Sequence, residues 1–515
     1  MKEYLNVAIM GAGPAGLFLA QEIIRNQPQA KIAIIDMGKS LKDRKCPLLV
    51  KGICAQCRVC HAVHGVGGAG MYSDGKLSLY PAGTGLKDLI GEKEARKLCN
   101  DVYWRLIEEL QGWPMKITAP DSEKKKQDLS NLKESALDLK TYNVAHVGSE
   151  GIQKICRGIE ANLRKQGVQF CLGTRVSNVI SNENGFEIFT QGVGGDQKFY
   201  ADNFVSAAGK SSGSVLRRIL MSVGLPIKYN HIELGVRVET FQDAIEILTD
   251  IHLDAKVKMK HDDAEIRTFC MCRGGYLARC GYDTFDSNKR IFTISGFSLT
   301  QSKSQNSNFG ILVRRRFPSY VDPIAMQLPI ISKINKVAKG TVVQRYEDFL
   351  KNKKTSLKRL IENGVSTTLP ESAPANLHEL MPNNILEPVR VFMENLSKVM
   401  PKLGHGDTLL HAPVWEMCWD RIPTNDKLET DIPGFYVAGD AIGIARGIVQ
   451  AAASGIIVAR SILSRMLTHK LHKQYQSRMI FEPNINVEQS MRENLNVTRL
   501  LKKRNPDMLR EETAI

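Results

Sequence analysis

Three glycines near the start of the chain have the spacing of a dinucleotide-binding turn. Gly11, Gly13 and Gly16 follow the apolar run at residues 7–10, and a helical pattern of apolar residues comes directly after them. The first glycine permits a tight turn, the second lets a pyrophosphate approach the backbone, and the third lets the helix pack closely. The helix start then offers free N–H groups and a partial positive charge to phosphates. This spacing predicts a dinucleotide site.

An acidic residue, Asp36, ends the second apolar run, at residues 32–35. An acid at this distance from the glycines is placed to hydrogen-bond the ribose hydroxyls of the nucleotide. The alternative is an ordinary strand–helix–strand unit whose glycines serve only packing. Met37 follows the acid, and we expect the basic side chain of Arg44 to reach back toward the phosphates.

A cluster of cysteines comes next in the chain. The four thiols lie within fifteen residues, at Cys46, Cys54, Cys57 and Cys60, and His61 and His64 follow. Four sulfurs are the right number and type of ligands for a tetrahedral zinc ion or an iron–sulfur cluster. Two alternatives stay open, namely a redox-active thiol pair beside the nucleotide and buried thiols with no metal.

A glycine-rich loop at residues 65–76 repeats the dinucleotide pattern. We reject this second match because no apolar strand precedes it and no amphipathic helix follows it. The loop is predicted to wrap the bound cofactor with backbone N–H groups that form an anion-binding nest. Its candidate contacts are Gly67, Gly68, Ser73 and Lys76.

Near the end of the sequence a short apolar strand delivers Gly439 and Asp440, and a helix rich in small residues begins near Gly447. Asp440 is placed to accept a hydrogen bond from a ribityl or ribose hydroxyl. The helix start, with Ile448 and Val449, would direct its dipole at the flavin N1 and C2 carbonyl, where the reduced ring carries negative charge. The alternative is a plain strand–turn–helix with a capping aspartate.

The composition of the chain says less about its function than these motifs do. The net charge of +16 and the isoelectric point of 9.2 are compatible with an acidic partner such as RNA, but the basic residues are scattered, which favours a solvated surface. The eleven cysteines are expected to be thiols, metal ligands or redox groups rather than a disulfide framework. No apolar run reaches the ~18 residues that span a bilayer. Because the chain starts at its first strand, without room for a signal peptide, we expect a cytoplasmic protein.

Three separated segments, at residues 11–36, 207–210 and 433–452, look like the FAD-binding fold of the glutathione-reductase type. More narrowly, the chain resembles the uncharacterised FAD-dependent dehydrogenases. The residues that carry this resemblance lie at 67–76, 146–148, 235–239, 267–272 and 439–452. The resemblance implies tightly bound FAD and redox chemistry, but it implies no substrate.

The predicted fold class is α/β, with a Rossmann-like FAD-binding domain and an inserted β-rich α+β substrate domain. The FAD-binding domain takes residues 1–215 and 426–467, the substrate domain takes residues 216–425, and a basic tail takes residues 468–515. The predicted FAD contacts are Gly11, Gly13, Pro14, Ala15, Gly16, Asp36, Met37, Arg44, Gly67, Gly68, Ser73, Lys76, Val176, Ala208, Gly209, Gly439, Asp440, Gly447, Ile448 and Val449.

The leading hypothesis for function is an FAD-dependent oxidoreductase that transfers hydride through flavin N5 on a small molecule, with NAD(P)H as a candidate transient reductant. Two alternatives are an RNA-modifying flavoprotein, prompted by the charge, and a flavoprotein that transfers electrons through the cysteine cluster. The sequence selects no catalytic acid or base. The candidates are His61, His64, His146, Lys76 and Arg446.

Overall fold

The chain starts with the predicted strand, glycine turn, helix and second strand. The two strands belong to a seven-stranded sheet. The computed structural model describes residues 4–481 except 49–51, 118–129, 141, 211–212, 230, 284–289, 319, 339 and 418–419. The strands of the first sheet are β1 (Tyr4–Met10), β2 (Ile32–Asp36), β7 (Gln169–Leu172), β8 (Thr174–Asn182), β9 (Gly185–Gly192), β10 (Gln197–Ser206) and β20 (Phe435–Val437).

Five strands of this sheet are parallel, in the order β7-β2-β1-β10-β20, and β8 and β9 join β10 as an antiparallel meander. The register pairs Val7 with Ile32 on one side and with Asn203 on the other. Residues 7–10 are buried, as in a parallel strand that is covered on both faces. The carboxyl ends of β1, β2, β10 and β20 therefore meet along one edge, which is where such sheets bind ligands.

A second sheet of eight strands lies in the middle of the chain, with the order β18-β17-β19-β11-β16-β13-β12-β5. It is largely antiparallel, as the alternating apolar pattern of residues 216–425 predicts. Its strands are β5 (Asp138–Lys140), β11 (Ile232–Phe241), β12 (Lys256–His261), β13 (Ala264–Cys272), β16 (Asn306–Arg314), β17 (Val342–Arg345), β18 (Ala373–Pro374) and β19 (Leu409–Met417).

Two small sheets and the helices complete the described chain. The hairpin pairs β14 (Tyr276–Asp283) with β15 (Arg290–Phe297), and the three-stranded sheet holds β3 (Lys76–Ser78), β4 (Lys116–Ile117) and β6 (Val144–His146). The helices are α1 (Pro14–Asn26), α2 (Gly85–Ile90), α3 (Glu92–Glu108), α4 (Gly148–Lys165), α5 (Gly213–Ser222), α6 (Glu246–Ile251), α7 (Pro323–Ala338), α8 (Tyr346–Leu350), α9 (Leu357–Ile361), α10 (Leu377–Leu380), α11 (Asn383–Val399) and α12 (Ile448–Phe481).

Each large sheet has its own hydrophobic core. The first core surrounds β1, α1 and the buried part of α12. The second core surrounds β11, β16 and α11, and it also takes in Leu132 and Leu137. Residues 130–140, which the sequence assigned to the FAD-binding domain, therefore pack with the second sheet and supply its edge strand β5. The observed mixture of a parallel sheet, its meander and a β-rich insertion confirms the predicted fold class.

Helix α12 contains a stretch, Ile448–Thr468, that is long and apolar enough by length and composition to cross a membrane. The core helix of a globular protein meets the same criterion, and 61% of this stretch is buried within the protein. A Cβ on Gly455 would lie 2.2 Å from the carbonyl oxygen of Ala15, so α12 packs closely against α1. Its position is that of a core helix, although the sequence analysis found no apolar run of this length.

Candidate cofactor site

The dinucleotide turn joins β1 to α1, and its three glycines lack side chains for different reasons. Gly11 has a φ of +113°, and a Cβ there would lie 2.5 Å from the carbonyl oxygen of Ala207. A Cβ on Gly16 would lie 2.1 Å from the carbonyl oxygen of Gly11. The nearest atom to a Cβ on Gly13 would be the Cα of Gly68, 3.9 Å away. Protein packing therefore does not require a glycine at this position, but the close approach of a pyrophosphate would.

The carboxylate of Asp36 lies at the end of β2 and is held by three backbone amides. Its Oδ2 accepts a hydrogen bond from the N–H of Ala12 at 2.9 Å. Its Oδ1 accepts from the N–H groups of Gly38 at 2.8 Å and Gly65 at 2.9 Å. A carboxylate has about four acceptor sites, so three are used to tie the dinucleotide turn to the glycine-rich loop. This organising role is additional to the ribose contact, which stays a prediction.

The glycine-rich loop lies directly on the dinucleotide turn. The N–H of Gly67 donates to the carbonyl oxygen of Ala12 at 2.8 Å, and a Cβ on Gly68 would lie 3.1 Å from the Cα of Gly13. A 3₁₀ helix, Gly68–Tyr72, follows. The loop is thus a cover over the first turn and not a second dinucleotide turn, as the sequence predicted.

Arg44 is buried beneath this loop and shapes it. Its guanidinium donates to the carbonyl oxygens of His61 at 2.7 Å, Val66 at 2.7 Å and Gly68 at 2.6 Å. Burial lowers the pKa of Arg44. The prediction that Arg44 reaches back to the phosphates is corrected, because its donors are directed at the loop carbonyls.

The C-terminal strand and helix bring Asp440 to the same edge of the sheet. Gly439 has a φ of +75°, a Cβ on it would lie 3.1 Å from the Cβ of Ala15, and its N–H donates to Ser454 Oγ at 2.7 Å. The Oδ1 atom of Asp440 is buried and has no hydrogen-bond partner among the described residues. Burial raises the pKa of Asp440 to about 7. A buried oxygen without a donor is costly, and a ribityl or ribose hydroxyl would supply the donor.

Two independent features therefore fit a bound FAD. The backbone at Gly13 is open for a pyrophosphate, and Oδ1 of Asp440 lacks a donor that a sugar hydroxyl would provide. The features that fit are therefore those that would contact the pyrophosphate and the sugar hydroxyls of FAD.

Charged groups from the second sheet reach this edge. Lys210 forms an ion pair with Glu416 of β19, and its Nζ lies 5.9 Å from the ring centroid of Phe269 on β13. The charges of Lys210 and Glu416 also act on the pKa of Asp440, the first lowering it and the second raising it. The two sheets therefore share one electrostatic environment around Asp440.

Glu233 of β11 anchors a further group of cations. It is fully buried and accepts hydrogen bonds from Arg267 Nε at 3.1 Å and Arg314 Nε at 2.8 Å. Burial opposes the ionisation of Glu233, but these two arginines and Arg446 hold its pKa below the ordinary value. Burial lowers the pKa of the neighbouring His231 to about 4, so this imidazole is neutral at pH 7.

Lys76 leaves the glycine-rich loop and points to the second sheet. Its ammonium lies 3.3 Å from Asp74 and 3.5 Å from Asp254, and it also donates to the carbonyl oxygen of Met271. Burial opposes the charge, but the two carboxylates raise the pKa of Lys76 above its ordinary value. An ammonium has three donors, and all three have protein partners. The predicted contact between Lys76 and the cofactor is therefore corrected.

The four cysteines of the 46–60 segment line one small cavity together with His61. The segment is anchored by the N–H of Cys54, which donates to Glu371 Oε1 at 2.7 Å. Burial raises the pKa of Cys60. Within the described residues, a three-ligand group whose atoms lie within 4.8 Å of one another forms at Asp74, Cys270 and Cys272, and not among these four thiols. The structure thus gathers the thiols around one cavity, and a metal there stays a prediction.

The other predicted contacts fall on the elements expected. Pro14 and Ala15 begin α1, Met37 follows β2, and Ala208 and Gly209 follow β10. Val176 is buried in β8, while Ser73 donates to the carbonyl oxygen of Gly70 at 2.7 Å and so serves its own loop. Gly447, Ile448 and Val449 lie at the start of α12. His146 lies 2.9 Å from Ser298 Oγ, which in turn donates to the carbonyl oxygen of Asp74.

Residues 231–414, which cover most of the second sheet, match the family described as "FAD-dependent protein, C-terminal domain-like". This part of the chain is therefore similar to the C-terminal domain of FAD-dependent proteins. The predicted resemblance is thereby confirmed, and the match agrees with the prediction of an FAD-dependent enzyme. An uncharacterized protein of Clostridium beijerinckii is 23% identical over 495 residues, which cover 89% of this chain and 80% of that protein.

Solved structures of flavoproteins resemble the chain at low identity. A flavoprotein/dehydrogenase from Cytophaga hutchinsonii is 12% identical, with a TM-score of 0.41 and coverage of 91% of this chain and 79% of that one. Glycine oxidase from Geobacillus kaustophilus is also 12% identical, with a TM-score of 0.39 and coverage of 90% and 95%. At these values the assignment of the fold depends on the strand order described above.

Several residues of the site were not predicted from the sequence. Glu233, Lys210, Glu416 and Asp254 are buried or half-buried ionic groups. The residues adjoining two of them, at 235–239 and 208–209, were noted, but nothing in a strand pattern shows which charge a distant strand will meet. Only the three-dimensional pairing of β19 with β11 and of Lys210 with Glu416 reveals this group.

Proposed function

We propose that this protein is an FAD-dependent oxidoreductase of the dehydrogenase type that acts on a small molecule. The observation that carries the proposal is the buried, unpaired oxygen of Asp440. This residue follows β20 of the sheet whose strand β1 leads to the open backbone of Gly13. Together with the domain match at residues 231–414, this arrangement favours an FAD site. In an ordinary strand–turn–helix without a ligand, the aspartate would cap the helix.

When bound, FAD would accept a hydride at N5 and supply the redox chemistry. The chain's own residues bind and orient the cofactor. Gly13 and the start of α1 would receive the pyrophosphate, and Asp440 would accept a hydrogen bond from a sugar hydroxyl. Asp36 and Arg44 hold the glycine-rich loop over this turn, because Asp36 accepts from an amide of the loop and Arg44 donates to its carbonyl oxygens.

Charged groups from both sheets would set the electrostatics beside the cofactor. Lys210 and Arg446 are cations; Glu416 pairs with Lys210, and its charge also acts on Arg446. His231 is neutral at pH 7 because burial lowers its pKa to about 4.

The test is reconstitution. The purified protein should bind one FAD, show flavin absorption bands, and lose most of its affinity for FAD in Asp440→Ala. Anaerobic bleaching of these bands by a panel of small hydride donors, including NADH and NADPH, would identify the reductant. Correctly folded protein that refuses added FAD would contradict the proposal.

The metal prediction for the cysteine segment has a separate test. Stoichiometric zinc or iron in the purified protein would support a metal centre at the cavity that these thiols line, provided that Cys57→Ser and Cys60→Ser each lose the metal. If neither metal is present, the four thiols are simply the wall of that cavity.

A further inference from the structure

Two cysteines of β13 approach each other outside the cysteine segment. The Sγ atoms of Cys270 and Cys272 lie 3.8 Å apart. The pairing register between β13 and β16 shifts between Phe269 and Cys272, which marks a bulge. Cys270 has a φ of +49°, in the left-handed region that non-glycine residues rarely adopt. Strained backbone of this kind concentrates at functional positions.

Two buried cations surround the pair. Arg237 Nη2 lies 3.6 Å from Cys270 Sγ and 3.7 Å from Cys272 Sγ. This guanidinium is fully buried and is held in place by Asn308 Oδ1 at 2.6 Å and by the carbonyl oxygen of Cys270 at 2.7 Å. Lys76 donates to the carbonyl oxygen of Met271, between the two cysteines. Such surroundings stabilise a thiolate, the reactive form of cysteine.

The pKa values of the pair separate as a dithiol requires. The hydrogen bond from Cys270, with the charges of Lys76 and Arg237, lowers the pKa of Cys272, while that of Cys270 is raised. Burial instead raises the pKa of three other cysteines: Cys99, Cys156 and Cys280. A nucleophilic thiolate beside a protonated thiol is the arrangement that exchanges with disulfides.

We propose that Cys270 and Cys272 form a redox-active dithiol that cycles between two thiols and an intrachain disulfide. On oxidation the Cys270 S–H bond breaks and one S–S bond forms with the Cys272 thiolate. The two electrons and the thiol proton pass to oxidised FAD, and solvent supplies the second proton. Reduction of the disulfide reverses the same step. The choice of FAD as the oxidant rests on the proposed function. The sulfurs need to approach by about 2 Å to reach the bonding distance.

A metal site is the competing use of this group, because Asp74, Cys270 and Cys272 offer three ligand atoms within 4.8 Å of one another. The cations Arg237 and Lys76 lie against the same atoms, and they repel a metal ion while they attract a thiolate. The charges therefore favour the dithiol.

The first experiment follows the pair chemically. Trypsin cleaves after Arg267 and Arg273, so one peptide, residues 268–273, contains both cysteines and no other. FAD-free, full-length protein is equilibrated with mixtures of oxidised and reduced dithiothreitol, quenched with acid, alkylated under denaturing conditions and digested. We expect this peptide to change reversibly between a doubly alkylated form and an unalkylated form that is lighter by two hydrogen atoms than the free dithiol.

The controls separate the pair from the other thiols. Cys99→Ser, which alters a buried thiol of the first core, should keep the conversion. Cys270→Ser and Cys272→Ser should each abolish it. A wild-type peptide that stays doubly alkylated in every mixture would overturn the proposal, even if either variant fails to fold. Protection of both sulfurs by added zinc, without a disulfide, would overturn it in favour of a metal site.

The second experiment counts electrons in the FAD-bound protein. After oxidation, an anaerobic titration with dithionite should consume two equivalents in the wild type and in Cys99→Ser, one for FAD and one for the disulfide. Cys270→Ser should consume one. A wild type that binds FAD but consumes one equivalent would overturn the proposal. If the protein binds no FAD, the proposed function and electron transfer to FAD both fail, while the peptide experiment still decides whether the dithiol forms.

Discussion

At the scale of single residues, Asp440 carries an energetic cost that a cofactor can remove. Its Oδ1 has no donor among the described residues, and burial raises its pKa from the ordinary 3.8 to about 7. Below about pH 7 the protonated form is therefore favoured in the folded, FAD-free protein. The contribution of this group to stability is complete below pH 3.8 and is lost as the pH rises to about 7.

Replacing Asp440 with asparagine removes this titration. We expect FAD-free Asp440→Asn to be more stable than the wild type at pH 8, by roughly 1–3 kcal/mol, since partial exposure reduces the ~4 kcal/mol that three pKa units represent. Its affinity for FAD should nevertheless fall. Urea unfolding at pH 5 and pH 8 with FAD titration measures both effects. The exposed Asp431→Asn is the control and should change neither. Equal stability of Asp440→Asn and wild type at pH 8 would contradict the assignment.

Asp36 shows what a sequence leaves out at this scale. The motif predicts an acid at the end of β2, but its three amide partners belong to Ala12, Gly38 and Gly65, and the last of these lies in a different loop. Local spacing cannot reveal such a contact. The same holds for Arg44, whose carbonyl partners lie 17 to 24 residues further along the chain.

We expect Asp36→Asn to lower the free energy of unfolding by roughly 1–3 kcal/mol, because an amide N–H₂ would face at least one backbone N–H that the carboxylate now accepts. FAD affinity should fall as well, since the glycine-rich loop loses its tie to the turn. Asp43→Asn is the matched control, because Asp43 is exposed and accepts only from Ser40 among the side-chain contacts described. Chemical denaturation of both variants measures the free energy of unfolding. Similar losses of this free energy in the two variants would refute the organising role of Asp36.

At the scale of elements, the apolar periodicity predicted the helices and strands whose pattern is set by neighbouring residues in the sequence. The strand–turn–helix–strand at the start and the late strand and helix lie where the sequence placed them. The segment 344–361, which has the apolar pattern of one helix, is instead the end of β17 and the short helices α8 and α9. Asn352, with a φ of +47°, and the Ser356 side chain, which accepts from Arg359 N, make the break. The first residues of the segment are a strand because β17 pairs with β19. The periodicity of the segment alone cannot reveal a pairing with a distant strand.

The contact between α1 and α12 gives a prediction at this scale. A Cβ on Gly455 would lie 2.2 Å from the carbonyl oxygen of Ala15, so Gly455→Ala must push two helices apart and should cost roughly 1–3 kcal/mol. Gly158→Ala in α4 is the control. The three atoms nearest to its Cβ would belong to the Glu109 carboxylate, a flexible group that can move away, and alanine favours the helix by up to about 1 kcal/mol. Thermal unfolding should rank Gly455→Ala well below Gly158→Ala, and the reverse order would show that the helices are not closely packed.

At the scale of the whole molecule, two cores meet around the proposed cofactor. Lys210 follows a strand of the first sheet, and Glu416 belongs to β19 of the second. The sequence predicted a second unit inserted in the first, and it assigned the candidate FAD contacts to the first. It did not show that residues 130–140 would leave the first unit for the edge of the second sheet, because that contact depends on the burial of Leu132 and Leu137.

If FAD lies at this junction, its binding must stabilise both sheets. At a hundred times its dissociation constant, FAD should raise the free energy of unfolding by about 2.7 kcal/mol. We expect hydrogen exchange of the amides in β1 and β2 and of those in β11 and β19 to slow together on addition of FAD, since Lys210 joins Glu416 of the second sheet to the edge that holds Asp440. Lys210→Met is the variant that should uncouple them: the first sheet should keep its added protection and the second should lose it. Protection confined to β1 and β2 in the wild type would mean that the second sheet does not form part of the cofactor site.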